Sequence, residues 1–289
     1  MSSAPDRLLL RLEWRVLRRL DGRMQGAYRT PYRGSGLDFA GLRPYVEEDD
    51  ARHIDWNATA RLDEPQVRQF TEDRELTAWL VLDRSASMAV AAKRDVAGEL
   101  ALSLARLFGR GGNRVGAVLH DGAATRVVPP GTGRGHALRI GHELARAATP
   151  AAVTTDFAVM LDAVASLARR RSLVVVVSDF IGTGDWDRPL LRLVHRHDVV
   201  ALRVIDAADD ELPEVGLVVV EDAETGEQLI VDSADPLFRS RFRAGVDERD
   251  AVLSARMRRA GVPLHRIDTD RDVLESLVEV VASTRWRRG

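Results

Sequence analysis

The 289-residue chain is 45% apolar, with 42 basic against 44 acidic residues. That is enough for a sizeable core and too balanced for a global field to recruit nucleic acid or a membrane. It contains no cysteine, which excludes disulfides, thiolate metal sites and cysteine nucleophiles together.

The first segment places Leu9, Leu12, Val16 and Leu20 on one stripe, with Arg7, Arg11, Arg15, Arg18 and Arg19 mostly around it. This spacing predicts an amphipathic helix docked on the body of the protein; a basic amphipathic helix also suits a membrane surface. Asp6, Arg7, Arg11, Glu13 and Arg15 interrupt any signal-peptide core, and no run reaches the roughly 20 apolar residues that span a bilayer, so a soluble, cytoplasmic protein is expected. Residues 22–57 lack clear periodicity and read as an irregular extension, with the acidic run "EEDDARHID" inside it. Residues 1–74 are thus expected to be an N-terminal helix and extended segment packed on a main domain of residues 75–289. Within the extension, Pro44 to Trp56 reads as pinned to that domain, with Arg43, Arg52 and Arg61 available to pair with its carboxylates.

From Glu75 strands alternate with helices. Leu76 to Asp83 reads as a buried strand, Asp95 to Phe108 as a helix, and Arg114 to His120 as the next strand. A turn-rich stretch around "VVPPGTGRGH" follows, then a helix from about Asp156 to Arg170 and the β-branched strand "SLVVVVSDF". Next come a helix over Asp185 to His197, a strand over Val199 to Asp206, the hairpin "GLVVVEDAETGEQLIVD" and a long helix from about Pro236 to Arg259. A strand from Val262 to Asp268 and a helix from Arg271 close the chain. The pattern predicts an α/β fold with an open, mostly parallel sheet covered by helices on both faces.

In such sheets ligands gather outside the carboxyl ends of the strands. Two apolar strands end there in aspartate, Asp83 in "LVLDRSASM" and Asp179 in "VVVVSD". Ser85 and Ser87 follow the first, and Thr155 precedes Asp156 at a helix start where either can serve as the cap. This is an oxygen-only set, which suits Mg²⁺, Mn²⁺ or Ca²⁺ and disfavours Zn²⁺.

"DRSAS", with Thr155 before an Asp and then Asp179, resembles the metal-ion-dependent adhesion site of von Willebrand factor A domains, whose pattern is Asp-x-Ser-x-Ser, a distant Thr and a distant Asp. The resemblance implies a von Willebrand A-like (Rossmann-like) sheet, largely parallel with one antiparallel edge strand. It implies Ser85, Ser87 and Thr155 as direct metal ligands, with Asp83 and Asp179 holding the ion and its waters. Over nearly the whole chain, "RTPYRGSGLDFAGLRPYVEEDDARHIDWNATAR", "LVLDRSASM", "LPEVGLVVVEDAETGE" and "TRWRRG" resemble domain-of-unknown-function family 58. The chain departs from that family's usual Gly-Asp-Asp at Glu48-Asp49-Asp50. This resemblance implies a partner role beside a MoxR-type AAA+ ATPase.

The expected function is a non-catalytic, divalent-metal-dependent protein-binding module whose metal accepts a Glu or Asp from the partner. The alternative is an Mg²⁺-dependent, phosphatase-like hydrolase using the same cluster. Against the alternative, Ser85 stands where many aspartyl-phosphate enzymes carry a second Asp as acid and base. No Gly-x-Ser-x-Gly elbow surrounds either serine, and Gly131, Gly133 and Gly135 match no phosphate-loop pattern and read as a strand-to-helix turn. "EEDDARHID" lacks the ligand spacing of an EF-hand. The terminal arginines come with no nucleic-acid-binding signature.

Overall fold

A computed structural model describes residues 33–46, 49–62, 64–71, 77–110, 112–146, 156–182, 184–221 and 226–283. The first predicted helix and Thr155 lie outside the described residues. The described residues divide into two compact units, one before and one after the junction near residue 75.

In the first unit, β1 (Arg33–Pro44) pairs antiparallel with β2 (Gln66–Thr71), and α1 (Trp56–Leu62) lies between them in sequence. The extension therefore contains regular structure where the sequence suggested none. The ladder has two register shifts, Arg33/Asp38 and Phe39/Gly41, as expected of a glycine-bearing strand whose bulges break the two-residue alternation. The acidic run serves as caps and clamps. Asp49 pairs with Arg43 and accepts the Val46 N–H at 3.1 Å, Asp50 caps the short turn Ala51–His53, and Asp55 accepts the Asn57 and Ala58 N–H groups at 3.0 Å each. Trp56, an apolar residue expected to pack, is 70% exposed.

The second unit is built on a six-stranded sheet of β3 (Thr77–Asp83), β4 (Arg114–His120), β5 (Thr125–Gly131), β6 (Leu173–Ser178), β7 (Asp198–Ile205) and β10 (Leu264–Asp268). Their order is β10-β7-β6-β3-β4-β5. All neighbours are parallel except β4 and β5, so the fold is the expected von Willebrand A-like α/β sheet with one antiparallel edge. β5 carries the consecutive prolines Pro129 and Pro130, and its register with β4 shifts beside them, between Val115 and Ala117. A missing N–H on each side of the strand explains the shift.

Alternation along the strands sends side chains to two apolar layers. Ala78, Leu80 and Leu82 face a cluster with Leu100 and Leu104 of α2 (Ala91–Arg110), Ile140 of α3 (Gly133–Ala145) and Leu277 of α8 (Val273–Ser283). Trp79 and Val81 face the other, with Phe157, Met160 and Val164 of α4 (Phe157–Leu167), Leu193 of α5 (Asp187–Arg196) and Met257 of α7 (Pro236–Ala260). Burial on both faces is why these strands read as continuous apolar runs.

The predicted strands and most helices are present with bounds shifted by a few residues. Within this second unit, two helices had not been expected. One is α3, which follows the Gly131 turn; the other is the helical turn α6 (Ala207–Asp210) after β7. Gly133, at the start of α3, has φ 81, a value that favours glycine. The hairpin β8 (Leu217–Glu221) and β9 (Gln228–Asp232) forms as expected and leaves Leu217, Val219, Leu229 and Ile230 exposed.

Candidate functional site

The sheet reverses its direction of growth between β3 and β6. β3 leads outward to β4 and β5, and the chain then returns to lay β6 on the other flank of β3. A crevice outside the carboxyl ends of such neighbours is the expected ligand position. Leu82 is in register with Val177, so Asp83 and the Ser178-Asp179 pair leave the sheet side by side.

Four of the five predicted site residues come together there. Asp83, Ser85, Ser87 and Asp179 are all buried. Asp83 Oδ1 accepts the Ser85 N–H at 2.9 Å, and its Oδ2 accepts the Ser178 hydroxyl at 2.5 Å. Ser85 and Ser87 Oγ lie 3.0 Å apart, and each serine also hydrogen-bonds a carboxylate, Ser85 to Asp83 and Ser87 to Asp179. Asp179 Oδ1 accepts the Ile181 N–H at 3.0 Å. Asp156 beside Thr155 is the N-cap of α4 and accepts the Ala158 N–H at 2.8 Å.

Burial and then the nearby charge of Asp179 push the Asp83 carboxyl up to about 7. Burial raises Asp179 as well, against the pull of Lys93. Two carboxylates held this close, out of water, repel each other and resist ionising together.

Several residues at the site had no signal in the sequence. Ser178 bridges the two strand ends, donating to Asp83 and accepting the Phe180 N–H at 2.8 Å. Phe180 is the one non-glycine residue with positive φ among the described residues, at 58. This conformation costs an L-residue roughly 1–2 kcal/mol. Its ring is held 5.7 Å from Phe157 and 6.1 Å from Trp186, and Arg256 lies 4.4 Å over the Trp186 ring. Backbone strain of this kind concentrates at functional sites.

Lys93, two residues into α2, sends its ammonium to Asp179 Oδ2 at 2.9 Å and Asp209 Oδ2 at 2.8 Å. His120 ends β4 in register with Asp83. It shares a 2.9 Å hydrogen bond between Nδ1 and Thr125, and its buried Nε2 has no partner among the described residues. Arg84, inside "DRSAS", points away to the C-terminal end of α3, donating to the carbonyls of Arg146 at 2.5 Å and Glu143 at 3.4 Å. No group of three or more His, Cys, Asp or Glu suited to a metal occurs among the described residues, so the candidate set depends on its hydroxyls. Nor is any helix among them long and apolar enough to cross a membrane.

The profile of the protein family described as "Protein of unknown function DUF58" matches residues 41–252. An uncharacterized protein of Mycobacterium tuberculosis is 41% identical over 279 residues, covering 95% of this chain and 88% of its own length. Among solved structures, an aerotolerance-related membrane protein from Bacteroides fragilis superposes with a TM-score of 0.47 at 13% identity, covering 72% of this chain and 100% of its own. The SpRpn10 VWA domain does so with a TM-score of 0.39 at 14% identity, covering 75% and 98%.

Proposed function

The chain belongs to the DUF58 family, and from that premise we propose that it is a non-catalytic protein-binding module that docks its partner through a divalent cation, Mg²⁺ or else Mn²⁺ or Ca²⁺. Asp83, Ser85, Ser87, Thr155 and Asp179 would hold the ion. When bound, the ion would supply an electrophilic position for a Glu or Asp side chain of another protein. The partner we assign is a MoxR-type AAA+ ATPase, on the strength of the family resemblance, and the compartment is the cytoplasm.

The observation that carries the reading is the pairing of two buried carboxylates with two serine hydroxyls at the β3/β6 switch point. The donors are all hard oxygens, which fits such a cation. Lys93 offsets charge on Asp179 and Asp209, while Asp83, held up at about 7 by burial and by Asp179, is a carboxyl that a cation would help to ionise. Ser85 and Ser178 orient Asp83, Ser87 and the Ile181 N–H orient Asp179, and the strained Phe180 fixes the chain where it turns away from Asp179.

Calorimetric titration with Mg²⁺ and Mn²⁺ tests the reading: heat in the wild type and none in Asp83→Ala is expected, and a silent wild type refutes it. A pull-down with and without EDTA tests the partner. Capture of a MoxR-type ATPase that EDTA abolishes is the expected result; capture indifferent to EDTA refutes docking through the ion.

A further inference from the structure

Lys93 is the charged group at the site that metal binding leaves unexplained. Its side chain is 1% exposed, and a lysine so buried is rare unless paired. On one side its ammonium holds Asp179, a carboxylate of the proposed cage. On the other it holds Asp209, which belongs to α6 and lies beyond the cage.

Asp209 is itself anchored. The oxygen that meets Lys93 also accepts the Asp206 N–H at 2.9 Å, closing a capping box on α6. Asp206 in turn accepts the Thr269 hydroxyl at 2.8 Å. The second acceptor is thus held by hydrogen bonds that involve no residue of the cage. Burial by itself lowers the Lys93 pKa, but attraction to Asp179 and hydrogen bonds to both carboxylates leave it above the usual lysine value. Arg203, a second cation nearby, meets the Asp179 carbonyl at 3.3 Å and directs its guanidinium to Asp250 at 2.6 Å.

A divalent ion held through Asp179 and an ammonium on the same carboxylate repel across a few ångströms, where salt screens little. We propose that Lys93 is a built-in competitor for the cage: its ammonium balances Asp179 in the ion-free protein and weakens the cage's hold on a divalent cation, while Asp209 keeps the ammonium when the ion binds. The inference rests on the metal reading above and adds to it the device that sets its affinity. Lys93 is a positioning and charge-balancing residue. It ties ion binding to the carboxyl ends of β7 and β10, because the chain Lys93–Asp209–Asp206–Thr269 runs from one to the other.

The test titrates the full-length chain with Mn²⁺ at pH 8, by calorimetry and by the paramagnetic resonance of the free ion. Wild type, Lys93→Met, Asp209→Asn and the double variant are compared, with thermal melts to confirm folding. Lys93→Met is expected to bind at least about tenfold more tightly than wild type. Asp209→Asn, which leaves the ammonium to Asp179 alone, is expected to bind several-fold more weakly, and that loss should vanish in the double variant. If Lys93→Met does not fold, Lys93→Gln, which can still hydrogen-bond without the charge, carries the same expectation.

Equal or weaker binding by the Lys93 variant, or an Asp209→Asn loss that persists without Lys93, overturns the inference. A silent wild type beside a Lys93 variant that binds refutes the metal reading of the native protein and supports the inference. A wild type that binds beside an unchanged Lys93 variant does the reverse. Silence in every variant overturns both.

Discussion

Asp83 is where charge and stability meet. Its folded-state pKa of about 7 stands above the ordinary 3.8, with burial as the first cause and Asp179 as the second, so the folded chain binds this proton more tightly than the unfolded chain does. The stability that follows is complete below about pH 4 and is lost as pH rises through about 7. Without divalent ions the protein should melt at progressively lower temperature across that window, and Asp83→Asn, which cannot ionise, should flatten the slope. Melting scans in EDTA from pH 4 to 8 check this; an unchanged slope in the variant would contradict it. Asp83, Ser85, Ser87 and Asp179 were readable in the sequence because each lies at or just beyond the end of an apolar strand. Lys93 and Ser178 were not. Their partners stand 86 and 95 residues away, and a lysine near a helix start carries no local mark of being buried.

Among the elements, the β3–β4 pair depends on a size match. Gly116 in β4 lies opposite Trp79 in β3, and a Cβ added there would stand 2.7 Å from the indole and 3.1 Å from Pro130. Trp79 is buried in the apolar layer that includes residues of α4 and α5. Gly116→Ala should therefore cost about 1–3 kcal/mol, read as a lower urea midpoint with an unchanged slope; a neutral result would mean that the sheet can shift at this point. The central strands β3, β4, β6 and β7 were readable because burial on both faces writes them as apolar runs, whereas β5, half-exposed and carrying Pro129 and Pro130, read as a turn-rich stretch. α3 was missed for the opposite reason. Its first turn holds Gly133 and Gly135, poor helix formers, and Gly141 sits where an added Cβ would meet Leu102 of α2 at 2.8 Å. The helix follows from close packing on α2, which local sequence does not announce. β1 was hidden in the same way, its alternation broken by two register shifts.

At the scale of the whole molecule, both apolar layers of the six-stranded sheet are made by residues from Ala78 onward. We therefore expect residues 75–289, produced alone, to unfold in one cooperative transition. A fragment with native-like far-ultraviolet circular dichroism but no transition would show that the preceding 74 residues complete the core. The sheet also limits how this protein can associate. An exposed edge strand invites another chain to extend the ladder. On the β5 flank, Pro129 and Pro130 cannot donate, and because successive residues face opposite sides of the strand, one of the two gaps falls in the row of hydrogen bonds such a newcomer would need. That side of the molecule is protected from fibril-like growth, and a partner that bound by lending a strand would have to do so elsewhere.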